Sequence, residues 1–130
     1  MKRAEESDLS RILDMMERFA SARDVEIRRQ DCAQVMLDLI FNQFVAVSAK
    51  GFIAGMIQRN PLNTSEIWAN EFLWWAEDGS GPKLARAFKR WAKRHGAQKI
   101  RWSCPADNER VQRFYSRIGT RDEVIFVETL

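Results

Sequence analysis

Apolar positions recur first at helical spacing and then at strand spacing. Leu9, Ile12, Leu13, Met16 and Phe19 fall on one helical face, with Ser7 or Asp8 as N-cap and a short strand over residues 2–4 before it. The Met15 and Met16 pair reads as adaptable core filling. Residues 20–30 break this pattern with a polar connection holding Arg23, Arg28 and Arg29. Asp31 then caps a second helix whose stripe is Val35, Met36, Leu39 and Ile40. Residues 44–48 and 52–58 are β-rich runs separated by Ala49, Lys50 and Gly51, which predicts a hairpin whose glycine supplies a positive φ. Residues 60–65 predict a loop.

The second half alternates strand and helix. Residues 66–76 form an apolar run, Gly79, Ser80 and Gly81 a turn, and Pro82 opens a third helix with Leu84, Ala87, Phe88, Trp91, Ala92 and His95 on one stripe. Strand, glycine turn and helix N-terminus together make an anion-holding arrangement, because free N–H groups meet the positive end of the helix dipole. Gly96 stops the helix, and residues 99–104 predict a strand parallel to the fourth through a right-handed crossover. Asp107 or Asn108 caps a fourth helix with Val111, Phe114, Tyr115 and Ile118 inward and Gly119 at its end. Residues 123–129 alternate as a last strand.

At 130 residues the chain suits one domain, 1–130, with a real core. No apolar run is long enough to span a membrane, and the early Glu5 and Glu6 do not suit a signal peptide, so a soluble, cytoplasmic protein is expected. Cys32 and Cys104 are far apart and His95 is the single histidine, which argues against zinc clusters and Ser-His-Asp chemistry. A mechanism then draws on carboxylates, hydroxyls, backbone amides or a cofactor. Lys83, Arg86, Lys89, Arg90, Lys93 and Arg94 gather on the outer face of the third helix, either as a solvated surface or as a seat for an anionic partner.

The element order β, α, α, β, β, β, α, β, α, β resembles the GCN5-related N-acetyltransferase (GNAT) superfamily over essentially the whole chain. The most specific parts are Glu71-Phe72-Leu73-Trp74-Trp75 leading to Gly79-Ser80-Gly81, and the run from Asn108 through Phe114-Tyr115 to Gly119. The resemblance is to a short, divergent, phage-like member. It implies an α/β (α+β) fold: a mixed sheet of six to seven strands with four helices, splayed between the fourth and fifth strands.

The same resemblance implies acetyl-CoA as co-substrate, no metal, and an unidentified amine of a small molecule or protein as acceptor. Glu71 would be the base and Tyr115 the acid for the departing thiolate, with a backbone N–H near Trp75 for the carbonyl oxygen. Trp74, Trp75, Ala76, Gly79, Ser80, Gly81, Lys83 and Asn108 would contact the co-substrate. Glu66 would suit a cationic acceptor, and Arg28 and Arg29 an acidic one. A Cys104 acyl-carrying role fits poorly with direct transfer.

At the turn the family usually has Gln or Arg where this chain has Ala76, and Glu77 and Asp78 bring negative charge toward the expected pyrophosphate. These three residues motivate a second reading, a GNAT-fold binding or virion-assembly module without catalysis. A third reading makes the basic third helix a nucleic-acid surface. A dimer is plausible under any of the three.

Overall fold

A computed structural model describes residues Met1 to Leu130. In chain order the elements are β1 (Lys2–Arg3), α1 (Leu9–Ala22), α2 (Arg29–Asn42), β2 (Phe44–Val47), β3 (Gly51–Asn60), β4 (Asn63–Ala76), α3 (Gly81–Arg94), β5 (Lys99–Arg101) and α4 (Glu109–Ile118), with a 3-10 turn at Glu6–Asp8 leading into α1. The strands form one sheet in the order β1-β2-β3-β4-β5, antiparallel except for the parallel β4–β5 pair.

Alternation along β2 divides the core into two layers. Val45 and Val47 face α1 and α2, where Ile12, Met15, Met36 and Leu39 are buried with Phe52 and Ala54. Phe44 and Ala46 face α3, whose stripe Leu84, Ala87, Phe88, Trp91 and Ala92 packs on Ile53 and Ala69. Successive strand residues point to opposite sides, so each strand serves both layers.

Several expectations change. The sheet has five strands, not six to seven: residues 123–129 form no strand and stand in solvent, because their backbone pairs with no neighbouring ladder. β5 stops at Arg101 rather than residue 104, where the chain turns away from β4. Gly51 does not have positive φ; a Cβ there would stand 2.7 Å from Ser80 Oγ and 2.9 Å from Ser48 Oγ, so close approach is what requires glycine.

Helix details shift as well. α2 starts at Arg29 with Asp31 inside its first turn, where a carboxylate favours the dipole, and Val35 is 46% exposed. Of the Met15 and Met16 pair, Met15 is the fully buried one. β4 begins at Asn63, so the predicted loop shrinks to a tight turn. His95 lies outside the core, its Nδ1 2.9 Å from the Trp91 carbonyl. No helix is long and apolar enough to cross a membrane.

Candidate active site

β4 and β5 pair only at Trp68–Lys99, Ala69–Ile100 and Asn70–Arg101. Past Asn70 the β5-facing edge of β4 has no strand partner, which leaves alternate backbone groups over residues 72–76 facing a cleft. The pairing of the fourth and fifth strands ends because β5 stops at Arg101 while β4 runs on to Ala76.

A β-bulge at the start of this cleft sets what faces it. Gly55 pairs with Glu71 and the next residue, Ala54, pairs with Leu73, leaving Phe72 unmatched. In an unbulged strand Ala69 and Leu73 would share a face, yet Ala69 packs under α3 and Leu73 packs with the α1–α2 layer. The extra residue therefore reverses the alternation, and both Glu71 and Trp74 face the α3–α4 side.

Glu71 is 7% exposed and accepts hydrogen bonds from the Ser103 N–H (3.1 Å) and the Ser103 hydroxyl (3.4 Å). Burial in this setting pushes its carboxyl up to about 7, against the smaller opposing pull of the Ser103 and Tyr115 hydrogen bonds. Tyr115 reaches the same residue from α4, its hydroxyl donating to the Ser103 carbonyl at 3.0 Å. Desolvation, with the Glu71 charge nearby, raises the phenol well above its ordinary range and keeps it protonated. Asn108 holds α4 in place as an N-cap, its Oδ1 accepting from the Val111 N–H at 3.2 Å.

Aromatic rings wall the cleft. Trp74 lies 5.9 Å from Trp102, 5.8 Å from Phe114 and 6.0 Å from Tyr115, centroid to centroid. Trp75 faces the other way, edge-on to Phe19 at 5.4 Å, with its indole N–H on Glu77 at 2.8 Å. Cys104 stays a thiol, because burial first and the Glu71 charge second raise its pKa. That does not suit a nucleophile.

The turn after β4 is tied down by its own acids. Asp78 accepts from Lys50 N–H (3.0 Å), Ser48 Oγ (3.1 Å), Ser80 N–H (3.1 Å) and Ser80 Oγ, and these bonds, the Ser80 hydroxyl foremost, hold its carboxyl well below the usual range. Glu77 is engaged by Trp75 and by Arg18, 2.7 Å away on α1. Glu77 thus has a cationic partner in Arg18, whereas Asp78 keeps its charge and is turned onto neutral donors of the β2–β3 turn and Ser80. Gly79 has φ +74° and open space around it, Gly81 sits against Trp74, and Lys83 is exposed on the first turn of α3. A free strand edge, an aromatic wall and an open turn at a helix N-terminus fit the pantetheine and pyrophosphate of a CoA thioester.

The remaining expected residues are not gathered here. Glu66 sits five residues back along β4, paired with Lys99 at 3.1 Å and with the Trp68 indole. Arg29 is spent on Asp14 and Glu17, both at 2.9 Å, tying α2 to α1, and Arg28 is exposed beside it. Ser103, which joins Glu71 to Tyr115, was missed by the sequence reading. A lone serine before Cys104 carries no motif, and only the end of β5 could have pointed to it.

Residues 12–120 match the model of the Acetyltransferase (GNAT) family. The chain belongs to this family. It is an acetyltransferase by that membership, with acetyl-CoA as co-substrate. No curated protein matches it in sequence.

Solved acetyltransferase structures share its fold. A ribosomal-protein-alanine N-acetyltransferase from Brucella melitensis biovar Abortus 2308 is 15% identical at TM-score 0.73, covering 98% of this chain and 97% of that one. AAC(6')-Iy, in complex with the bisubstrate analog CoA-S-monomethyl-acetylneamine, is 14% identical at TM-score 0.74, covering 99% and 96%. A Trypanosoma brucei acetyltransferase is 16% identical at TM-score 0.70, covering 98% and 96%.

Proposed function

We propose that the protein is an N-acetyltransferase moving the acetyl group of acetyl-CoA to an amine, with Glu71 as base and Tyr115 as acid. The observation that carries this is the meeting of both side chains at Ser103, at the point where β4 and β5 part. Glu71 takes a proton from the acceptor ammonium, directly or through water, and a carboxyl near 7 suits that work at neutral pH. The freed nitrogen forms a C–N bond to the thioester carbonyl, and a cleft-facing N–H near Trp75 stabilises the charge on its oxygen. As the C–S bond breaks, the thiolate takes the Tyr115 proton and the nitrogen releases its second proton to solvent, which then reprotonates Tyr115 and takes the proton held by Glu71.

For the co-substrate, the open edge over residues 72–76 suits the pantetheine amides, with Trp74 as a wall. The Gly79 and Gly81 amides with Lys83 suit the pyrophosphate, Ser80 being bonded to Asp78, and Arg86 and Lys89, at the Pro82 end of the α3–α4 groove, suit the nucleotide phosphate. Asn108 contributes indirectly, by capping α4. The pairing of Glu77 with Arg18, which offsets one of the two charges near the turn, supports an enzyme over a non-catalytic module. Two structural neighbours with alanine and acetylneamine in their names support an amine acceptor. Free Cys32 and Cys104 accord with a reducing cytoplasm.

The test is a thermal shift with acetyl-CoA followed by thiol release across a panel of amines. At a hundredfold excess over Kd, a ligand of the native state adds about 2.7 kcal/mol. Absence of any shift at millimolar acetyl-CoA sinks the reading.

A further inference from the structure

The proposed base lies behind the surface of the cleft. Glu71 is 7% exposed, paired with Gly55 on one side and capped by Ser103 on the other. Ser103 itself is exposed. Its N–H donates to the Glu71 carboxylate at 3.1 Å, and its hydroxyl donates to the same oxygen at 3.4 Å. A solvent-facing hydroxyl therefore covers the buried acid.

An acceptor ammonium brings its carbon chain with it. So little of Glu71 is open that nitrogen and carboxylate touch only if Ser103 gives way. Moving Ser103 would break the bonds that hold both Glu71 and Tyr115. The other polar groups nearby are poorly suited to carry the proton inward. Tyr115 already donates to the Ser103 carbonyl, and the Cys104 thiol is a weak acceptor. A serine hydroxyl has one proton to give and two lone pairs to receive with.

We propose that the Ser103 hydroxyl carries the acceptor's proton to Glu71. Its oxygen takes a proton from the ammonium as its own proton passes to the carboxylate. One N–H and one O–H bond break, two O–H bonds form, and Ser103 ends as it began. The 3.4 Å contact is long, as catalytic hydrogen bonds often are before substrate binds. The same path returns the proton from Glu71 to solvent. This rests on the reading of Glu71 as base and names the route by which the proton reaches it.

Ser103→Ala is the test, because it removes the hydroxyl and keeps the N–H and carbonyl that hold Glu71 and Tyr115. With an alkylamine of pKa about 10, kcat at pH 7 should fall about 10²-fold or more. The KM for acetyl-CoA should stay within about twofold. Ser103→Thr, which keeps a hydroxyl, should recover most of the rate. With an aromatic amine, neutral at pH 7, the loss should nearly vanish, since its nitrogen has no proton to hand over before it attacks. The Glu71 carboxyl, followed by carbon NMR, should still titrate near 7 in Ser103→Ala.

An alkylamine rate kept in Ser103→Ala would overturn the route and leave a direct or water-borne transfer. Equal losses for the two amines, or a Glu71 carboxyl back in its ordinary range, would reduce the hydroxyl to a structural part. A wild type that acetylates no amine would overturn the transfer reading and this route with it.

Discussion

Glu71 and Tyr115 hydrogen-bond the same residue from two elements: the carboxylate takes the Ser103 N–H and the phenol gives its proton to the Ser103 carbonyl. One residue, through the peptide groups on its two sides, therefore sets the position of the proposed base relative to the proposed acid. With the carboxyl near 7, kcat/KM for the amine should rise through about pH 7, and the raised phenol should add no falling limb across the working range. Glu71→Gln should lower kcat by about 10²–10⁴-fold and abolish that limb, leaving only the titration of the acceptor amine. A limb unchanged in the variant would assign it to another group.

The same substitution makes a stability prediction of opposite sense. The folded-state carboxyl near 7 lies above its ordinary 4.5, so the fold favours the protonated form. That contribution is fully present below about 4.5 and is lost as pH rises through 7. Glu71→Gln keeps an acceptor for Ser103 without a buried charge. It should match wild type at pH 4.5 and exceed it by up to about 3 kcal/mol at pH 8.5, read from denaturant midpoints. Less stability in the variant at pH 8.5 would mean that the charge is compensated in the fold.

Tyr115→Phe removes one donor from a ring that keeps its packing on Trp74 and Trp102. Turnover should fall about 10²-fold or more while the KM for acetyl-CoA stays within twofold, because the hydroxyl acts on the leaving thiolate. A rise in KM alone would make it a binding residue.

Element order, the glycine turn and the α3 stripe were legible because periodicity and turn chemistry are local. Glu71 and Tyr115 were singled out by resemblance, and the structure brings them together. The bulge at Phe72 was not legible, since it depends on how β3 and β4 align around Gly55 rather than on either strand alone. The last strand was misread for a related reason: residues 123–129 have strand periodicity, but a strand exists only where a ladder meets it. The acids at 77 and 78 read as repulsive because their partners, Arg18, Ser48 and Lys50, lie far back in the sequence.

Asp78 gathers the β2–β3 turn and the start of α3 onto one carboxylate. Asp78→Ala should lower Tm and raise the KM for acetyl-CoA with kcat little changed, because a loosened turn presents its amides less well. A tighter KM would show that the charge, rather than the tether, governs affinity.

Gly55 gives the sharpest steric test. It pairs with Glu71 beside the bulge, and a Cβ there would overlap the Phe88 ring and stand 2.7 Å from the Asn70 carbonyl oxygen. Phe88 is fully buried against Phe44, Trp91 and Trp102, so its ring has no free space to enter, and the Asn70 oxygen belongs to the strand itself. Relief must come from β3 moving away from β4. Gly55→Ala should therefore cost about 1–3 kcal/mol or more. Activity should fall further than stability when assayed well below the new Tm, because the same movement turns Glu71 away from Ser103. Gly96→Ala is the control: its Cβ meets only Ile67 at 3.8 Å, and the φ of +79° should cost only about 1–2 kcal/mol. Equal activity losses in the two variants would separate the bulge from the aim of the carboxylate.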